Sequence, residues 1–113
     1  MPLPKQVREE AERIVREYCA GKVPDHAPHK VGIEFAIRGD SVTLIESRPH
    51  WQKPDIWIKM PVAQFRYDRG KGAWSLFCAD RNSRWHDYQL GPKRDIRELL
   101  REVDNDPTGI FWG

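Results

Sequence analysis

Residues 56–88 read IWIKMPVAQFRYDRGKGAWSLFCADRNSRWHDY, and the way this stretch pairs with itself decides the fold. Ile56, Ile58, Met60 and Val62 share one parity, with Trp57 and Lys59 on the other. After Pro61 the apolar parity passes to Ala63, Phe65 and Tyr67. A β-bulge or bend at Met60-Pro61 accounts for both the switch and the proline, because an extra residue offsets the alternation and prolines in sheets are confined to edges and bulges. The loop Arg69-Gly70-Lys71-Gly72 then sets Tyr67 against Trp74, Phe65 against Leu76 and Ala63 against Cys78. A turn at Arg81-Asn82 sets Cys78 against Trp85. On these registers Phe65, Tyr67, Trp74 and Trp85 share the inner face, where each aromatic buries roughly 150–250 Å². The outer face carries Arg66, Ser75, Phe77, Arg84, His86 and Tyr88.

Working outward, Val31–Ile37 alternates Val31, Ile33, Phe35 and Ile37 with Gly32, Glu34 and Ala36, the period of a half-buried strand. Its partner is Val42–Arg48. A two-residue Gly39-Asp40 turn places Ile37 opposite Val42 and Phe35 opposite Leu44, with Glu46 and Arg48 at the margin of the core face opposite Ile33 and Val31. Residues 49–55 (PHWQKPD) form a loop around two prolines. Before the sheet, residues 5–20 place Val7, Ala11, Ile14, Val15 and Tyr18 on one helical stripe bordered by Cys19, with Gly21 suited to the position that ends a helix. Pro24 and Pro28 keep KVPDHAPH (22–29) non-helical. Beyond Gly91-Pro92, a second helix is marked by Ile96, Leu99, Leu100 and Val103, and Asp95 with Glu98 fits a capping box. After the turn Asp106–Gly109, residues 110–113 (IFWG) are apolar enough to require docking, on this chain or on a partner. The fold class is therefore α+β: a bent five-stranded antiparallel meander with an N-terminal helix, a short C-terminal helix and a docked apolar tail.

Composition bounds what such a fold can do. At 113 residues, 39% hydrophobic and 32% charged, residues 1–113 suit a single domain with one core and a well-solvated surface. The net charge of +2 is far from that of a non-specific nucleic-acid binder, although residues 30–91 hold ten Lys/Arg against seven Asp/Glu, so the excess lies in the strands. No apolar run approaches the length of a membrane span and no signal-peptide pattern is present. Cys19 and Cys78 both fall on core faces, which favours buried free thiols and a cytoplasmic protein over a disulfide.

The strings ESRPHW (46–51), MPVAQFRYD (60–68), WSLFCADRNSRWHDY (74–88) and DPTGIFWG (106–113) together resemble a family of short bacterial proteins known as domain of unknown function three thousand and twenty-four. The resemblance spans nearly the whole chain. It implies a small stand-alone bacterial domain and brings no activity, cofactor or site residue with it.

Two functions from different classes suit the residues. The first is a binding module whose Arg/aromatic face (Arg66, Phe77, Arg84, His86, Tyr88), extended by Arg48, His50 and Trp51, recognises single-stranded nucleic acid or a protein partner through ring stacking and cationic contacts. The competing structural reading covers that face with the second helix or the tail, making Phe77 and Tyr88 part of the core. The second function is a small metal-dependent hydrolase acting on nucleic acid through Glu46, Asp80 and His86, since carboxylates suit Mg²⁺ or Mn²⁺, although Asp87 falls on the opposite face from His86. Against it, Asp80 opens a turn, where Asp bonds its own backbone. Cys19, His26 and His29 are three candidate ligands, one short of a closed tetrahedral site, and RGKG lacks the pattern and following helix of a phosphate loop. No cofactor or metal is therefore expected. Exposed strand edges and the apolar tail also make self-association a possible use of this surface.

Overall fold

A computed structural model describes residues 3–22 and 32–112. Within them lie a helix α1 (Lys5–Lys22), five strands β1 (Gly32–Arg38), β2 (Ser41–Pro49), β3 (Trp57–Asp68), β4 (Ala73–Ala79) and β5 (Trp85–Asp87), and a helix α2 (Ile96–Asn105). The strands form one antiparallel sheet in chain order, β1-β2-β3-β4-β5. The α+β meander expected from the pattern is the architecture observed. Val31, Pro24, Pro28, His26, His29 and Gly113 lie outside the described residues.

The first two hairpins adopt the registers their turns dictate. Gly39, at φ 55°, occupies the first turn position that requires it, and Ile37 faces Val42 and Phe35 faces Leu44. Across Arg69–Gly72, Tyr67 faces Trp74, Phe65 faces Leu76 and Ala63 faces Cys78. Between them the β2–β3 register slips by one: Leu44 pairs with Ala63 but Ile45 pairs with Pro61, leaving Val62 as the bulged residue. The slip explains why apolar residues change parity at Pro61.

Both helices lie on the inner face. α1 contributes Ala11, Ile14, Val15 and Cys19 to the core, and Arg16–Glu12 and Arg13–Glu17 pairs one turn apart occupy its solvent side. It runs to Lys22, so Gly21 sits inside the last turn instead of ending it. α2 buries Ile96, Leu99, Leu100 and Val103, and Asp95 caps it by accepting the Arg97 N–H at 3.0 Å. The helices are tied by Tyr18, whose hydroxyl donates to Asp104 at 3.0 Å, and by the Lys22–Asp104 ion pair. Phe65, Leu44, Leu76, Leu99, Val15, Val42 and Val103 are fully buried, each stabilising the fold by about 1.5–3 kcal/mol.

The tail docks on the inner face as well. Asp106, in the left-handed region at φ 40°, accepts the N–H groups of Phe111 (3.0 Å) and Trp112 (2.9 Å) with its two carboxylate oxygens. The Trp112 indole N–H donates to Val103 C=O at 2.9 Å, and Phe111 is buried against the Tyr88 ring, 5.1 Å between centroids.

One turn departs from expectation and changes which residues face outward. The β4–β5 connection is not centred on Arg81-Asn82. Asp80 pairs with Arg84 (N–H to C=O, 2.9 Å) around a three-residue loop, Arg81-Asn82-Ser83, with Ser83 at φ 60°. A type I turn closed by a left-handed residue is a favoured three-residue hairpin. The extra residue moves β5 by one position, so Cys78 faces His86 and Ala79 faces Trp85. Because side chains alternate, the slip exchanges the two faces of β5. Trp85 leaves the predicted core and joins the outer face, while His86 and Tyr88 take the inner parity. The tail covers Tyr88, and Arg84 belongs to the turn.

Candidate binding surface

Among the described residues no helix packs on the outer face of the sheet, and its centre is organised by three side chains from neighbouring strands. Thr43 (β2) faces Gln64 (β3), and the Gln64 amide donates to the Thr43 hydroxyl at 3.0 Å. The Gln64 carbonyl oxygen accepts Arg66 Nε–H at 2.6 Å. This bond holds the Arg66 guanidinium over the Phe77 ring, 3.8 Å from its centroid, a contact worth about 0.5–1 kcal/mol where solvent reaches it. Arg66 and Phe77 are therefore brought together as the alternation predicts. Beside them a groove of about 410 Å³ runs between Ala36, Arg38, Ile45, Lys59, Pro61 and Trp85. Lys59 pairs with Glu34 at 2.8 Å. The groove thus offers an indole, aliphatic walls, a hydroxyl–amide pair and a cationic rim.

A second surface lies where β2 and β3 run past their neighbours. β3 has twelve residues, about 40 Å at the usual rise, which accounts for much of the 47 Å long dimension. Its pairing with β4 stops at Ala63, so Trp57–Met60 is flanked by β2 alone among the described strands. On this arm stand five of the six exposed large apolar side chains among the described residues: Trp51 (83% exposed), Met60 (60%), Ile56 (51%), Trp57 (43%) and Ile58 (42%). Trp57 is on the outer-face parity with Lys59; Ile58 and Met60 are on the other.

The arm's tip is braced by His50. Its Nδ1 accepts the N–H groups of Gln52 (3.1 Å) and Lys53 (3.2 Å), and its ring stacks on Trp51, 6.1 Å between centroids. His50 is thus a loop organiser that presents Trp51. Arg48 is joined to Glu46 at 2.7 Å, so its charge is largely satisfied within the arm.

The residues proposed for hydrolysis do not assemble. Asp80 Oδ1 accepts Asn82 N–H (2.8 Å) and Arg84 N–H (3.0 Å), and Oδ2 lies 2.7 Å from His86 Nε2. The His86 bond and these backbone donors hold the Asp80 carboxyl below its ordinary value. Its lone pairs are engaged in closing the turn. Glu46 is held by Arg48, and Asp87 accepts Gln89 N–H at 2.7 Å. Among the described residues no three His, Cys, Asp or Glu side chains are placed to hold a metal ion. The Arg69–Gly72 loop is equally self-contained: Gly72 N–H donates to Asp68 C=O and Lys71 N–H to its carboxylate.

The inner side is structural. Burial raises the Cys19 thiol to about 11 and pushes Cys78 upward too, and both cysteines are free. The Tyr88 hydroxyl donates to Glu102 at 2.8 Å, a bond that, with burial, raises its pKa. Sequence reasoning missed Arg38, Thr43, Gln64 and Trp85 on the outer face. A glycine at position 83 would have announced the loop that turns Trp85 outward; a serine does not.

The chain belongs to the family described as Domain of unknown function (DUF3024), which matches residues 3–113. Neither the curated proteins nor the solved structures compared with it include a match. No helix among the described residues is long and apolar enough to cross a membrane.

Proposed function

We propose that this chain is a binding module that takes single-stranded nucleic acid across the face of its sheet opposite the two helices. The observation that carries the reading is the Arg66 guanidinium, laid on Phe77 and fixed by Gln64, which itself lines the groove with Arg38 and Trp85. A base stacks on a guanidinium plane or on an indole, and phosphates take Arg38 and the edge of Arg66. The Thr43–Gln64 pair adds polar atoms for base edges. Trp57 continues the stacking surface along the arm. The small net charge sets a modest affinity: two phosphate contacts to a single strand give a slope of about −1.4 in log K against log salt. Buried free thiols at Cys19 and Cys78 suit a reducing, cytoplasmic setting.

Titration of intrinsic tryptophan fluorescence with single-stranded RNA and DNA tests this. Quenching that saturates in the range of about 10⁻⁴ M or tighter, and weakens about tenfold in Trp85→Ala, is the expected result. Unchanged emission, or equal affinity in Arg66→Ala and Trp85→Ala, overturns it.

A protein partner is the second reading, favoured by the aliphatic side chains Ile56, Ile58 and Met60, which offer a nucleic acid no stacking plane.

A further inference from the structure

We infer that two copies of this chain join edge to edge through β3, antiparallel, with Ile58 of each copy on the two-fold axis. The inference goes beyond the nucleic-acid reading and rests on the free edge of the arm, sharing Trp57 and Lys59 with the outer face.

The direction of the backbone groups comes first. His50 N–H donates to Ile56 C=O at 2.7 Å, which makes His50 and Ile56 a hydrogen-bonded pair across the β2–β3 ladder. In an antiparallel ladder such pairs alternate. Along the register Pro49–Trp57, Arg48–Ile58, Ser47–Lys59 and Glu46–Met60, the residues Ile58 and Met60 therefore turn their N–H and C=O toward β2. Trp57 and Lys59 turn theirs outward, to an edge that no described strand occupies. An open edge with large apolar neighbours is a template for another strand.

Charge and chain direction then select the occupant and its register. Pairing centred on Lys59 sets two ammonium groups opposite each other and places Trp57 against Pro61, which has no N–H to give. Pairing centred on Trp57 runs at once into positions 53–55, where Ile56 N–H already closes a turn onto Lys53 C=O. Pairing centred on Ile58 avoids both. Trp57 and Lys59 of one copy exchange bonds with Lys59 and Trp57 of the other, four in all. On one face Met60, Ile58 and Ile56 meet Ile56, Ile58 and Met60 of the second copy, an unbroken apolar strip made of side chains now 42–60% exposed. On the other face each Lys59 lies beside the opposing Trp57 ring, a cation–π arrangement, its charge already balanced by Glu34. Pro61 ends the ladder. The strip is complementary to itself, which is what an interface between identical chains requires. Because the axis is perpendicular to the sheet, the two outer faces lie on the same side of the joined sheet.

Sedimentation velocity over a concentration series, without nucleic acid, reads the outcome. The wild-type chain is expected to move from its 13.3 kDa mass to twice that mass as concentration rises. Ile58→Glu and Ile58→Lys, with wild-type circular dichroism, are each expected to stay at the single-chain mass, and their equimolar mixture to recover the doubled mass. Lys59→Pro, which removes an outward N–H together with the side chain paired to Glu34, is expected to prevent doubling as well. A wild-type chain that remains monomeric at every concentration overturns the inference and leaves the strip to a different protein. A doubled mass retained by Ile58→Glu overturns it too, by placing the contact elsewhere.

Discussion

The two ends of β3 share one strand and a similar hydropathy, yet they have opposite fates. Ala63, Phe65 and Tyr67 lie between β2 and β4 beneath the helices, and Phe65 is fully buried. Ile58 and Met60, on the N-terminal side of the Val62 bulge, have β2 on one side and solvent on most others. Apolar character fixes only what a residue gains from being covered; whether it is covered depends on which layers reach it. Here β4 and the helices stop near the bulge, so the same kind of residue is core on one side and available surface on the other.

The sharpest way to break this contrast is truncation on both sides of the bulge. Phe65→Ala is expected to cost about 3–5 kcal/mol in urea unfolding, and Met60→Ala no more than about 0.5 kcal/mol for the isolated chain. Equal losses would mean that the arm is packed in solution. A smaller effect is expected at the tail. Asp106→Ala removes the acceptor of two N–H groups and is expected to cost about 1–2 kcal/mol. Near-ultraviolet circular dichroism should change as Phe111 leaves Tyr88; an unchanged spectrum would show that apolar burial alone holds the tail.

Two further measurements sharpen the covered side against the open one. Cys19, its thiol raised to about 11 by burial, is expected to resist thiol reagents at pH 8 until urea unfolds the chain. Because the folded value is raised, the associated stability is present below the unfolded value and is lost as pH rises toward 11. Labelling at the rate of a free thiol would show that α1 opens locally. The smallest effect belongs to the exposed Asp80 turn. Its carboxyl is lowered by His86 and by the Arg84 and Asn82 N–H groups, so its stabilisation holds above about pH 3.9 and disappears as pH falls through the lower folded value. Amide exchange in β5 should rise there, and in Asp80→Asn it should already be high at neutral pH.

Much of the fold was legible because local signals and burial agreed. Gly39 and the Arg69–Gly72 loop define two hairpins, and the parity change at Pro61 marks the bulge in the sequence itself. The candidate site was less legible, for one local reason. The three-residue Arg81–Ser83 loop places a serine in a conformation that sequence marks clearly only when glycine is there, and a one-residue slip reversed Trp85, His86 and Tyr88. Arg66 and Phe77, whose register is set by the Arg69–Gly72 loop that precedes that turn, stayed on the outer face as expected. The exposure of Ile56, Ile58 and Met60 depends on where β4 ends, a long-range fact that no window of their own sequence contains.

The sheet's strand order has a kinetic consequence. Every strand pairs with its neighbour in the chain, so each hairpin closes a short loop and the sheet can zip up through local encounters. The Tyr18–Asp104 bond instead joins positions 86 residues apart, and no step of that zipping brings them together. Substitutions in the hairpins should therefore slow folding, whereas cutting the α1–α2 clasp should chiefly hasten unfolding. On that expectation the helices close last, as the latch on the sheet.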